Sequence, residues 1–104
     1  MSKSFGEILI GTTFNPSGQD DVQYVKNEFA KLANLVQTNF EDKIEKSQEK
    51  ILENLPDIDK EQYLTLEDEN SIELDVLYGI RDAALTNLVN AQMSVVKLLT
   101  FKNQ

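Results

Sequence analysis

The chain has no cysteine and no histidine. Without cysteine there is no disulfide and no thiolate metal site, and without histidine the commonest general base and metal ligand is missing. No run approaches the roughly 18 apolar residues that crossing a bilayer takes. The N-terminal MSKSFGEILIG is too short and too polar for a secretory signal, so the expectation is a soluble, cytosolic protein. No Gly-Lys-Ser/Thr phosphate loop, no HExxH helix and no nucleophile–base arrangement can be traced. Asp57, Asp59 and Glu61 alternate as in a calcium loop, but the glycine and terminal glutamate of such a loop are missing. The chain therefore reads as a non-enzyme without cofactor or metal.

What is present is acid, and it is unevenly spread. The formal charge is −8, which argues against DNA or RNA as a partner. Glu41 to Asp75 holds 13 acidic residues and 4 lysines, a net of −9, and the remainder carries a net of +1. If the middle is the tip of a hairpin, an anion could be held at the opposite end; acid at the tip also simply maintains solubility.

At 104 residues one domain is expected, and the apolar spacing makes it all-α. Ser4 is a candidate N-cap, Phe5, Ile8 and Leu9 follow at helical spacing, and Gly11 ends the turn, with Thr12–Phe14 extended. Asn15-Pro16-Ser17-Gly18 is the strongest turn signal, with Asn15 held out of the helical region by the proline. Ser17 and Asp20 stand at capping-box spacing. From there Val22, Val25, Phe29, Leu32, Val36, Phe40, Ile44, Ile51 and Leu55 form a helical stripe running to Pro56. Glu41, Glu45 and Glu49 with Lys43, Lys46 and Lys50 form its solvated face.

An acidic break is expected over about 56–70, with a short helical piece around Ile58, Tyr63, Leu64 and Leu66, and Asn70 with Glu73 as the next capping box. A heptad row follows: Leu74, Leu77, Ile80, Ala84, Leu88, Ala91, Val95 and Leu98, with Leu85, Val89, Val96 and Leu99 off it. The expected layout is an N-terminal segment 1–19, a first long helix about 20–55, the break, and a second long helix about 71–101. The two helices fold back antiparallel, so FNPSG and VVKLLTFK lie at the same end. A hairpin apolar on two sides cannot bury both, so a homo-oligomeric helical bundle is expected.

Each candidate site residue has two readings. Phe14 caps the core at the open end, or stacks on a flat ring such as a nucleobase. Lys26 is solvated beside Asp21 or Asn27, or binds a phosphate. Thr12, Thr13, Asn15 and Ser17 build the turn, or offer hydroxyl and amide groups to base edges and phosphate oxygens. Arg81, the sole arginine, pairs with Asp82 or a facing glutamate, or clamps a phosphate or base.

IGTTFNPSGQDDVQYVKNEFAKLANLV, Ile10 to Val36, resembles the start of a group of small phage helical-hairpin proteins. IRDAALTNLVNAQMSVVKLLT, Ile80 to Thr100, resembles their second helix, with Asp82–Ala83, Val96–Lys97 and Thr100 standing for the group's C-terminal pattern. The family is anti-CBASS protein 2, whose fold is similar to the hairpin part of a Thoeris anti-defence protein. The resemblance implies a sponge working in the cytoplasm of the infected bacterial host. It would bind cyclic dinucleotides, such as cyclic GMP–AMP, and cyclic trinucleotides without cleaving them. It implies a hexamer of hairpins, with Phe14 stacking on a base and Lys26 meeting the phosphates between paired protomers. Arg81 is the candidate for the trinucleotide site. The alternative is a structural or adaptor hairpin acting through protein–protein contacts.

Overall fold

The computed structural model describes residues 2–54 and 59–103, with side chains for 2–49 and 59–103. The described residues form three helices and no strand: α1 (Phe5–Ile10), α2 (Asp20–Asn54) and α3 (Lys60–Leu99). The expected all-α hairpin behind a short N-terminal helix is what the chain adopts. The readings of Leu55, Pro56, Asp57 and Ile58, and of the Lys50 and Ile51 side chains, lie outside the described residues.

Local chemistry sets α1 as expected. The Ser4 hydroxyl accepts from the Glu7 amide at 3.2 Å, and the Ser4 amide donates to the Glu7 carboxylate at 3.1 Å. Those bonds from Ser4 hold the Glu7 carboxyl below its usual range, with Lys3 a smaller contributor. Gly11 ends the helix at φ 74°, a left-handed conformation that suits glycine. Thr12–Phe14 is not extended as expected. The Phe14 amide donates to the Gly11 carbonyl at 2.9 Å, folding the stretch into a turn. The face that α1 buries is Gly6 and Ile10, whereas Ile8 is exposed. A Cβ at Gly6 would collide with the Ala30 carbonyl oxygen, so the missing side chain lets α1 lie directly on α2. Asn34 of α2 clamps it, accepting from the Gly6 amide at 2.6 Å and donating to the Ser4 hydroxyl at 3.0 Å.

The break is much shorter than expected. The helix begins at Lys60, because Asp59 and Gln62, not Asn70 and Glu73, make the capping box. Asp59 Oδ1 accepts from the Gln62 amide at 2.8 Å, and the Asp59 amide donates to Gln62 Oε1 at 3.3 Å. Residues 60–70 hold no proline or glycine to interrupt them, so Asn70 lies inside α3. There it accepts a hydrogen bond from Ser47 of α2 at 2.6 Å.

Ser47 facing Asn70, and Val22 and Val96 lining one cavity, fix α2 and α3 as antiparallel. On α2 Val22, Lys26, Ala30, Ala33 and Ser47 are buried, Ala30 beneath Gly6 of α1. On α3 the seam follows the expected heptad row only in part, with Leu74, Leu77, Ala84, Leu88 and Val95 half-buried. Leu85 and Gln92 are buried and Val89, Val96 and Leu99 half-buried, whereas Ile80, Ala91 and Leu98 point away. A straight helix drifts about 20° per heptad from a 3.5-residue repeat, so a strict row leaves the seam within a few turns.

The result is a slab of 70 × 31 × 13 Å with a radius of gyration of 19.8 Å. A globular chain of this length has about 13 Å. One helix layer cannot enclose a core, and large apolar side chains remain exposed on both long helices, among them Leu35, Ile72, Ile80 and Leu98.

Candidate functional site

The open end of the hairpin is built by the FNPSG turn. The Gly18 amide donates to the Asn15 carbonyl at 3.1 Å, closing a turn with Pro16 at its second position and Gly18 at φ 66°. The Ser17 hydroxyl donates to Asn15 Oδ1 at 2.8 Å and accepts from the Gln19 amide at 3.3 Å. Asn15 Nδ2 reaches the Gln19 carbonyl at 3.0 Å. Ser17 therefore serves the turn itself, and its expected partner Asp20 is simply the first residue of α2.

The turn, the first turns of α2 and the last turn of α3 enclose a cavity of about 270 Å³. Phe14, Asn15, Pro16, Ser17, Val22, Lys26, Val96 and Thr100 line it. Four of the sequence-predicted residues, Phe14, Asn15, Ser17 and Lys26, are thus brought together. Phe14 is 70 % exposed, so its ring stands at the mouth instead of closing the core. Lys26 is not solvated beside Asp21 or Asn27 but only 6 % exposed. Its ammonium lies 5.6 Å from the centre of the Phe14 ring and donates to the Gly11 carbonyl at 3.4 Å. No carboxylate among the described residues comes within 4.0 Å of it. An ammonium carries three donors, so a cation stands here without a counter-ion and with donors to spare. Asp20 and Asp21 occupy the first turn of α2, so Lys26 supplies the positive charge on offer.

The other candidates lie elsewhere. Thr12 is buried beneath the turn, its carbonyl accepting from Gln23 Nε2 at 2.8 Å. The Thr13 hydroxyl accepts from Lys3 Nζ at 3.0 Å. Arg81 lies near Phe40, about 20 Å along the hairpin from Lys26 at 1.5 Å per residue. Its guanidinium sits 4.6 Å from the Phe40 ring centre and 5.2 Å from that of Tyr78, and the two rings meet edge-on at 4.9 Å. Both Nε and Nη2 donate to Asp82 Oδ1, at 3.1 and 3.0 Å. Phe40 and Arg81, with Val36, Asn39, Lys43, Leu77, Ile80 and Ala84, line a separate groove of about 400 Å³.

The α3 wall of the first cavity was missed as a site. Val96 and Thr100 belong to the C-terminal pattern that carries the resemblance, and their spacing of four puts them on one helix face. The Thr100 amide and hydroxyl both donate to the Val96 carbonyl, at 2.9 and 2.8 Å, which ends the helix beside the cavity.

Among the described residues no three His, Cys, Asp or Glu side chains gather as metal ligands, and no helix is long and apolar enough to cross a membrane. No family model, no curated protein and no solved structure matches the chain.

Proposed function

We propose that this chain is a phage counter-defence sponge of the anti-CBASS protein 2 kind. It sequesters cyclic di- and trinucleotide messengers in the cytoplasm of the infected host and does not cleave them. The observation that carries the reading is the buried Lys26, with no carboxylate of the described residues within 4.0 Å of its ammonium, in a cavity whose mouth holds the exposed Phe14 ring. Those are the two elements a nucleotide needs: a cation for the phosphate and a ring for the base. The resemblance of Ile10–Val36 and Ile80–Thr100 supplies the cyclic class and the hexamer of hairpins.

Size supports a shared site. Pockets for small ligands run from about 300 to 1,000 Å³, and the cavity of one copy, about 270 Å³, falls just short. Two such cavities joined across a two-fold axis fall within that range. Each protomer then contributes one Phe14 and one Lys26 to a two-fold symmetric cyclic dinucleotide. Binding without turnover needs no general base.

The test is thermal melting with and without cyclic GMP–AMP. At a hundredfold excess over the dissociation constant, mass action adds about 2.7 kcal/mol, a rise of about 10 °C or more for a chain of this size. The nucleotide is expected intact after heat denaturation. No shift with any cyclic di- or trinucleotide would favour the adaptor reading, for which the exposed apolar face of α3 is the supporting observation.

A further inference from the structure

The hairpin seam leaves one side of α3 uncovered along nearly its whole length. Ile72, Val76, Ile80, Ala83, Ala91 and Leu98 follow at steps of three, four, eight and seven, which keep one face of an α-helix, and all are exposed. Ile72, Val76, Ile80 and Leu98 are each more than half exposed. Large side chains sit toward the two ends of the row and small ones toward its middle. Gly79 beside it has open space where a Cβ would stand, so none of the described residues fills the flank there.

We infer that α3 packs antiparallel against α3 of a second copy of this chain through this row. The choice of occupant comes from charge. Residues 60–75 hold six carboxylates against Lys60, a net of −5, and residues 81–103 hold Arg81, Lys97 and Lys102 against Asp82, a net of +2. A parallel pair would set acid beside acid along half the contact. An antiparallel pair sets Lys97 and Lys102 beside the other copy's Glu69–Asp75 stretch. Neither lysine has an ion-pair partner within its own chain among the described residues.

Shape agrees with charge. A two-fold axis near residue 85 brings Ile72 opposite Leu98, Val76 opposite Ser94, and Ile80 opposite Ala91 of the other copy. Large side chains then meet small ones, except at the two ends where apolar meets apolar, and the small middle lets the helix axes approach. The groove that Ile80 shares with Phe40 and Leu77 opens beside the axis, available to a partner side chain. The pairing stands independently of the nucleotide reading, since it uses neither Phe14 nor Lys26.

The chain has no cysteine, so single-cysteine variants report without background. I72C and L98C proteins are mixed without ligand and treated with a short bismaleimide linker. The expected product joins position 72 to position 98, in about tenfold excess over either same-site product, because the pairing brings only the unlike positions within side-chain reach. Dominance of 72–72 and 98–98 products, or a native mass of one chain by light scattering at tens of micromolar, overturns it. Ile80→Glu places a carboxylate at the contact in each copy and is expected to weaken association about tenfold or more. An unchanged association constant with unchanged helical circular dichroism also overturns the inference. Should that variant lose its helicity, the cross-linking pattern decides.

Discussion

Two cations in this chain lie over aromatic rings, and they are held in opposite ways. Arg81 rests against Phe40 and Tyr78 and makes two bonds to Asp82, so its charge is answered by its own neighbour. Lys26 rests against Phe14 with one long bond to a backbone carbonyl and, among the described residues, no carboxylate within 4.0 Å. A cation–π contact contributes about 0.5–2 kcal/mol, which does not offset the burial of an unpaired ammonium. The guanidinium is therefore part of how the hairpin holds together. The ammonium is a cost to the empty protein that an anion would remove. An aromatic beside a cation is thus weak guidance to a binding site, and the missing carboxylate is the informative feature.

The strongest way to break that contrast is Lys26→Met, which keeps the unbranched stem and removes the charge. Binding of a cyclic dinucleotide is expected to fall about tenfold to a hundredfold, from the loss of a charge-assisted phosphate contact of about 1.5–3 kcal/mol per protomer. The empty protein is expected to melt higher, by about 4–8 °C for each kcal/mol of relieved burial cost. Opposite movement of affinity, by titration calorimetry, and of melting temperature, by scanning calorimetry, is the signature. A lower melting temperature in the empty protein would mean that Lys26 is a structural residue, and unchanged affinity would remove it from the site.

Phe14→Ala is next in size. Base–aromatic stacking is worth about 1–3 kcal/mol per base, so a loss of about fivefold to a hundredfold in affinity is expected. Because the ring is already 70 % exposed, little beyond its contact with the Lys26 ammonium is lost, about 0.5–1 kcal/mol, so the melting temperature of the empty protein should fall by no more than about 4–8 °C and its native mass should not change. Dissociation of the assembly on this substitution would instead make Phe14 part of the packing between copies, and the site would lose its stacking platform.

Sequence legibility followed the range of the interactions. Ser4 and Gly11 were readable because caps act within one turn. The Asn15–Gly18 turn and the start of α2 were readable for the same reason. Asp59 and Gln62 carry an equally local signal, but the acids around them read as a break and hid eleven residues of helix, 60–70. The seam was less legible. Lys26, Ser47 and Gln92 are polar residues at buried positions, and a pattern of apolar spacing passes over them. On the α3 heptad row Leu74, Leu77, Ala84, Leu88 and Val95 are half-buried, whereas Ile80, Ala91 and Leu98 are ones a lone hairpin leaves uncovered. Phe14, Asn15, Ser17 and Lys26 could be nominated as separate residues. That they share a cavity with Val96 and Thr100 is a tertiary fact, fixed by the antiparallel register of helices whose contacting residues lie some seventy positions apart in the chain.

The smallest expected effect is the converse of the largest. Arg81→Met removes the guanidinium from Phe40, Tyr78 and Asp82 but keeps an apolar stem against the two rings. The ion pair is between sequence neighbours and Asp82 is largely exposed, so its loss is worth about 0–1 kcal/mol. The two ring contacts add about 0.5–1 kcal/mol each at a partly open site, some of it recovered by methionine sulfur on the aromatic faces. Net of what methionine recovers, about 1 kcal/mol is lost, so the melting temperature should drop by about 4–8 °C. Cyclic dinucleotide affinity should stay within about twofold, since about 20 Å of helix separates Arg81 from Lys26 in the same chain. On the sponge reading the trinucleotide is the ligand whose binding should fall. A dinucleotide loss as large as that of Lys26→Met would mean that assembly brings the two cations from different copies to one phosphate, and the contrast between an answered and an unanswered charge would then hold only for the isolated chain.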